Sequence, residues 1–219
     1  MKYFTPETLP AVEILRKNEN HQDSIVRPDV FSPEECEKII RDGGENGFND
    51  GVVFDNANID TEQKEDTWTV DSSIRKTDVG WIDTSQPKFN WIYDRIVEYL
   101  ESTNDAVWGY DLAEPYLIQG LQLGKYKKDS FYGWHTDSWA GKSSLRRLSI
   151  TVQLTTPDEY EGGKFEIFRG EKKDYEEDPN MEKQGSLILF PSYIWHKVTP
   201  VTKGVRFSLV GWCLGNTIV

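Results

Sequence analysis

From about Tyr116 onward the chain is written as short strands. Six runs (YLIQGLQLGKY, RRLSITVQLT, GGKFEIF, GSLILFP, WHKVTPV and GVRFSLVGW) are rich in β-branched and aromatic residues and are separated by Gly, Pro or charged turns. So many short strands in one stretch predict a barrel or jelly roll, with the earlier helices packed outside it. The expected fold class is mainly β with flanking helices. A chain of 219 residues suits one domain of this kind: a helical and loop part over about residues 1–115 and a β core over about 116–214.

The helices carry their own signals. SPEECEKIIRDGG, residues 32–44, has a capping box from Ser32 to Glu35, Pro33 at the first helical position and a glycine pair at its end. A second helix is expected over residues 88–102, where Phe89, Ile92, Ile96 and Leu100 form an apolar stripe at helical spacing. Residues 46–67 between them are acidic and Asn-rich and read as a long loop or flap; residues 169–184 read as a charged, solvated insertion between strands. The EGG at Glu161–Gly163 reads as a hairpin turn using glycine's tolerance of positive φ.

Charge narrows the partners. Lys and Arg number 25 against 37 Asp and Glu, a formal charge of −12. That field repels phosphate backbones, so no nucleic-acid partner is expected, and a peptide, protein or small molecule fits better. No apolar run approaches a membrane span, the amino terminus lacks a signal-type apolar region, and two cysteines, Cys36 and Cys213, make no disulfide framework or zinc spacing. The expectation is a reduced, cytoplasmic protein with no membrane partner.

The chemistry starts at GWHTDSW. The chain has three histidines, and one of them, His135, stands two residues before Asp137. On an extended strand, residues i and i+2 share a face, so the pair can aim at one point. His196, in PSYIWHKVTP, offers a third ligand. Two imidazoles and one carboxylate with open positions make the facial triad of non-haem Fe(II) oxygenases. An isolated HxD also arises by chance, so the rest of the chain has to carry the reading. Ten residues after His196, Arg206 and Ser208 share one face of a strand whose other face is Val205, Phe207 and Leu209. An arginine inside a barrel calls for a carboxylate, which a dicarboxylate co-substrate would supply. Solvent, or an internal Glu, is the other way to satisfy it.

With these residues in place the chain resembles the Fe(II)/2-oxoglutarate-dependent dioxygenases, of the prolyl/lysyl hydroxylase type and close to the small microbial prolyl 4-hydroxylases. The resemblance runs from FSPEECEKII through IRKTDVGWI, LQLGKYKKDSFYGWHTDSW, LSITVQLTTPDEYEGGKFEIF and GSLILFPSYIWHKVTPVTKGVRFSLVGW. It implies a double-stranded β-helix (jelly roll) core supported by amino-terminal α-helices. It implies that His135, Asp137 and His196 are the iron ligands, and that Arg206, assisted by Ser208, binds the distal carboxylate of 2-oxoglutarate. Tyr126 would lie beside that co-substrate, with a barrel-lining aromatic as the plainer role. Gln153 stands where some prolyl hydroxylases have a tyrosine for the distal carboxylate. The cofactors implied are Fe(II), 2-oxoglutarate and O2, with ascorbate as reductant.

The implied reaction is hydroxylation of a C–H bond, with release of succinate and CO2. A prolyl residue in a peptide or protein, as for a procollagen-proline 4-dioxygenase, is the leading substrate; a lysyl residue or a free amino acid follows. Trp134, Trp139, Tyr132, Arg75 and Trp212 are the candidate substrate contacts, packing residues being the alternative for each. Asp137 argues for hydroxylation, since related halogenases carry a small residue there. Lys142, Arg146 and Arg147 read as a solvated basic turn, a grip on phosphate or carboxylate being the alternative. Oxidative demethylation of nucleic-acid bases, a non-catalytic jelly-roll module and a zinc hydrolase are the competing readings. The acidic charge, the intact set of four residues and the lack of a placed general base weigh against them in turn.

Overall fold

The computed structural model describes residues 22–54, 68–113, 116, 118–139, 141–169 and 178–216. Two α-helices precede the β core, α1 (Pro33–Gly44) and α2 (Asn90–Thr103). α1 begins as its sequence dictates. The Glu35 amide donates to Ser32 Oγ at 3.2 Å, and the Ser32 amide donates to Glu35 Oε2 at 2.9 Å, so two orphan donors are satisfied reciprocally. Arg95 of α2 then grips the same carboxylate through both of its terminal nitrogens, each at 3.1 Å, and donates to the Val30 carbonyl at 2.9 Å. α2 follows a 3-10 turn at Pro87–Phe89, and beyond its end the chain forms a π turn at Asn104–Trp108.

The Arg95 pair, first, holds the Glu35 carboxyl below its usual range, aided by the Ser32 amide and opposed by burial. A depressed carboxyl stabilises the fold above its unfolded pKa, and that contribution is lost as pH falls through the folded value. Glu35→Gln keeps the cap but removes the charge. The variant is therefore expected to melt below wild type at neutral pH, with the gap closing as the pH drops below Glu35's lowered pKa. Thermal melts across that acid range check it.

The strands in chain order are β1 (Ile25–Arg27), β2 (Asn49–Asp50), β3 (Val53–Phe54), β4 (Trp68–Thr69) and β5 (Arg75–Lys76). Then come β6 (Asp78–Ile82), β7 (Leu121–Tyr126), β8 (Phe131–His135), β9 (Arg146–Gln153) and β10 (Tyr160–Gly162). The last are β11 (Phe165–Ile167), β12 (Leu187–Pro191), β13 (His196–Val198), β14 (Val201–Gly204) and β15 (Arg206–Leu214). They pair antiparallel into a major sheet, β1-β12-β9-β15-β7-β6-β2, and a minor sheet, β11-β13-β8-β5, with the pairs β10-β14 and β3-β4 beside them. This is the jelly-roll arrangement expected from the strand pattern.

The two faces of the major sheet divide the labour. Leu148, Ile150 and Val152 of β9, with Leu209 of β15, pack into one cluster with Ile39 of α1 and Ile92, Ile96 and Leu100 of α2. Each such fully buried side chain contributes about 1.5–3 kcal/mol, which fixes the helices on that face. The alternate residues Ser149, Thr151, Gln153, Arg206 and Ser208 are also buried, but they face the space between the sheets. A smaller apolar cluster, including Phe165, Val198 and Phe190, joins the two sheets.

Several expectations need correction. The 46–67 segment carries β2 and β3, which pair with β6 and β4; residues 55–67 lie outside the described residues. Within 169–184, residues 170–177 lie outside them too, but Met181 is buried in the smaller apolar cluster, so that stretch is not wholly solvated. The EGG glycines do have positive φ, 74° and 61°, but β10 pairs with β14 and not with β11. A Cβ on Gly163 would come 2.8 Å from Val201 and 3.2 Å from Arg206, so the turn also permits a close approach to the site. Among the described residues no helix is long and apolar enough to cross a membrane.

Candidate functional site

β8 and β13 pair in a register that sets His135 directly opposite His196, with ring centroids 4.1 Å apart. Each Nδ1 lies on a carbonyl two residues back, Gly133 at 2.8 Å and Ile194 at 3.0 Å. A carbonyl can only accept, so each Nδ1 carries a proton and each Nε2 is the nitrogen that can serve as a ligand atom. Both Nε2 atoms face Asp137: His135 Nε2 is 3.7 Å from Oδ1 and His196 Nε2 is 3.5 Å from Oδ2. Ligand atoms of the three lie within 4.8 Å of one another. The donor set fits a divalent first-row cation such as Fe(II).

Asp137 reaches this point by a different route from strand alternation. β8 ends at His135, and Asp137 sits on the bend that follows. The amides of Asp137 and Ser138 both donate to the Ser192 carbonyl, at 2.9 Å each, and this turns the carboxylate toward the imidazoles. Burial, reinforced by His196, pushes His135 down to about 3 against the pull of Asp137, so its imidazole is neutral at pH 7. Burial works against the charge on Asp137. His196, His135, Arg146 and the Ser149 hydroxyl outweigh it and hold that carboxyl below its usual range.

Arg206 lies on the inner face of β15 and is 1% exposed. Its Nη2 donates to Gln153 Oε1 at 2.8 Å, and its guanidinium stands 5.3 Å from the Tyr126 ring centroid. Nη1 is buried with no partner among the described residues. Arg206 therefore neither faces solvent nor, among the described residues, meets an internal Glu. A buried cation with an unused donor is costly unless an anion joins it. Gln153 accepts from Arg206 through its side-chain oxygen and, unlike Arg206, does not itself line the cavity. Tyr126, Arg206 and Ser208 line one cavity of about 510 Å³ with His135, Asp137 and His196.

The other sequence candidates line that cavity too. Tyr132 stacks on His135 at 3.5 Å, nearly parallel, and burial raises its hydroxyl to about 12. Arg75 is buried against the Tyr132 ring at 4.6 Å, and among the described residues neither its Nε nor Trp212 Nε1 has a hydrogen-bond partner. Trp134 and Trp139, with Trp81 and Trp195, are between 42% and 57% exposed and form an aromatic rim.

Arg146 was grouped from the sequence with a solvated basic turn, and here that expectation fails. Arg146 lines the cavity, stacks on Trp212 at 3.8 Å and donates to the Gln119 side chain and the Asp137 carbonyl. Arg147 is buried and donates to the Asn216 and Ser144 carbonyls. The cause is a bulge. Leu148 pairs with Cys213 but Arg146 pairs with Leu214, so Arg147 is the extra residue and Arg146 is turned inward. Cys36 and Cys213 are free, with thiols raised to about 12 mainly by burial, and offer no thiolate chemistry.

Comparison with known proteins agrees with this geometry. The β core, residues 121–214, matches the 2OG-Fe(II) oxygenase superfamily. The match agrees with the resemblance drawn from the sequence over that stretch. A PKHD-type hydroxylase of Synechococcus sp. (strain JA-2-3B'a(2-13)) is 35% identical over 104 residues, 46% of this chain and 45% of that protein. One of Gloeothece citriformis (strain PCC 7424) is 38% identical over 101 residues, 45% and 44% of the two chains. The chain thus spans about half the length of the curated relatives it matches. A Pseudomonas putida prolyl-4-hydroxylase has the same fold, with a TM-score of 0.64 at 18% identity over 93% of this chain and 98% of that one. So does a Trichoplax adhaerens prolyl hydroxylase in complex with a hypoxia inducible factor peptide fragment, with a TM-score of 0.65 at 16% identity over 96% of each chain. The oxygenase core is the part of the chain in which all the candidate ligands lie.

Proposed function

We propose that the chain is one catalytic domain, an Fe(II)/2-oxoglutarate-dependent dioxygenase that hydroxylates a prolyl residue in a peptide or protein. One observation carries the reading: the His135–Asp137–His196 cluster and the orphaned Arg206 guanidinium open into the same cavity. His135, Asp137 and His196 hold the metal through the two Nε2 atoms and a carboxylate oxygen. Arg206, braced by Gln153, anchors the distal carboxylate of 2-oxoglutarate, with Ser208 donating beside it and Tyr126 closing one side. When bound, Fe(II), 2-oxoglutarate and O2 supply the oxidising chemistry, with succinate and CO2 as by-products and ascorbate as reductant.

The chain's own part is placement and exclusion of water. The half-exposed tryptophan rim suits a polypeptide laid across the mouth. Inside the rim, Arg75 Nε and Trp212 Nε1 are buried donors awaiting an acceptor such as a peptide carbonyl. Hydroxylases of the PKHD type and prolyl hydroxylases among its similar proteins support the prolyl choice. A lysyl residue or a free amino acid is the second reading. The formal charge of −12 stands against nucleic acid, and the two free, buried thiols suit a cytoplasmic location.

Purified protein given Fe(II), 2-oxoglutarate and ascorbate is expected to release succinate faster when a proline-rich peptide library is added. Mass spectrometry should then find one added oxygen on a prolyl residue. Stimulation by free amino acids alone would replace the peptide substrate, and no turnover with any addition would overturn the oxygenase reading.

A further inference from the structure

Two serines outside the expected ligand set are linked to the Asp137 carboxylate, Ser149 directly and Ser192 through Ser149. Ser149 lies on the inner face of β9, and Ser192 lies in the turn that leads from β12 to His196; both are fully buried. Ser149 Oγ donates to Asp137 Oδ2 at 2.7 Å, and the two hydroxyl oxygens are 3.0 Å apart. An ionised carboxylate only accepts, and a hydroxyl has one proton to give. The Ser149 proton is therefore committed to Asp137, and the Ser192 proton is left to point at Ser149. The relay runs in one direction, Ser192 to Ser149 to Asp137.

Ser192 holds Asp137 from a second side. Its carbonyl accepts the Asp137 and Ser138 amides, and its own amide donates to the Arg147 carbonyl. One residue thus fixes the main chain of the HxD bend and, through Ser149, the orientation of its carboxylate. Because it precedes His196 by a single turn, it also ties the bend to the strand that carries the distal imidazole.

We propose that Ser149 and Ser192 are positioning residues that make Asp137 a one-oxygen ligand. The proposal rests on the metal-site reading above. Both oxygens face an imidazole, Oδ1 that of His135 at 3.7 Å and Oδ2 that of His196 at 3.5 Å, but Oδ2 already accepts the Ser149 proton, which leaves Oδ1 the freer donor to a cation. A carboxylate free to swing could close on the metal with both oxygens. That would take up a position which an open site must keep for its co-substrate. Hydrogen-bond partners of ligands commonly act in this way and change metal affinity when removed.

The test is metal binding by the full chain, using Mn(II) and Co(II) alone. Ser149→Ala is expected to weaken Mn(II) binding roughly 10–100-fold and to change the Co(II) absorption bands. Ser192→Ala should move both in the same direction by less. Ser186→Ala is the control, since Ser186 is equally buried, with an unpartnered hydroxyl, and does not line the cavity. It should match wild type in affinity and spectrum, and the metal-free melts of all three should stay close to wild type. Should Ser149→Ala fail to fold, Ser192→Ala decides, because it leaves the Ser149 bond to Asp137 in place. Wild-type affinity and wild-type Co(II) bands in both relay variants would overturn the proposal. Failure of wild type to bind either metal, or a His135→Ala variant that binds them as well as wild type, would sink the metal reading instead.

Discussion

Asp137→Ala is expected to lower Mn(II) affinity by more than a hundredfold, beyond the roughly 10–100-fold typical of losing a ligand's outer partner. The carboxylate supplies the only negative charge of the three-ligand set, and it lies in a fully buried position 3.5 and 3.7 Å from the two imidazole nitrogens. Without it, two imidazoles at 4.1 Å between ring centroids remain, neither neutralising a cation nor completing a face. Succinate formation should fall with the metal. Asp137→Asn separates charge from shape: it keeps an oxygen for a donor while removing the anion, so it should retain the bend yet still bind metal poorly. Calorimetric titration with Mn(II) measures both, and an alanine variant that binds like wild type would refute the assignment.

Arg206→Met should separate binding from stability. A buried hydrogen-bonded charge that loses its partner typically costs about 2–5 kcal/mol. 2-Oxoglutarate affinity should therefore drop roughly thirtyfold to several thousandfold. The free protein should behave differently. In it Arg206 is buried with Nη1 unpaired and with a neutral amide as its hydrogen-bond partner, so the charge is under-compensated. Replacing such a group by an apolar side chain of similar length is often neutral or stabilising. The variant's melting temperature without ligand should thus be no lower than wild type, while the rise on adding 2-oxoglutarate disappears. A variant that melts well below wild type and still binds 2-oxoglutarate would mean that Arg206 is a structural residue.

How far the sequence could be read depended on how local each cause was. His135, His196 and Arg206 were legible because such residues are rare inside strands and have few structural uses there, and Asp137 because it stands two residues from His135. The capping box of α1 and the stripe of α2 were legible because their partners lie within one turn of helix. β2, β3 and β5 are two residues long and have no period to find; they exist because neighbouring strands offer edges. Arg146 depended on a bulge that pairing with β15 creates, and alternation from Ser149, Thr151 and Gln153 would have placed Arg147 inside instead. Ser192 stands 43 residues from Ser149, and nothing short of the sheet itself brings their hydroxyls together. The polar stripe SxTxQ on β9 was the one available hint: polar residues alternating with Leu, Ile and Val announce an inner face that is used.

The aromatic rim gives the protein an optical property. Five of its eight tryptophans, Trp81, Trp134, Trp139, Trp195 and Trp212, line the same cavity. The indole emission of the whole chain is therefore weighted toward the mouth and floor of the site. A cation, a dicarboxylate or a peptide entering there changes the surroundings of most of the fluorophores at once. Occupancy can thus be followed by intrinsic fluorescence in the unlabelled, unmodified chain.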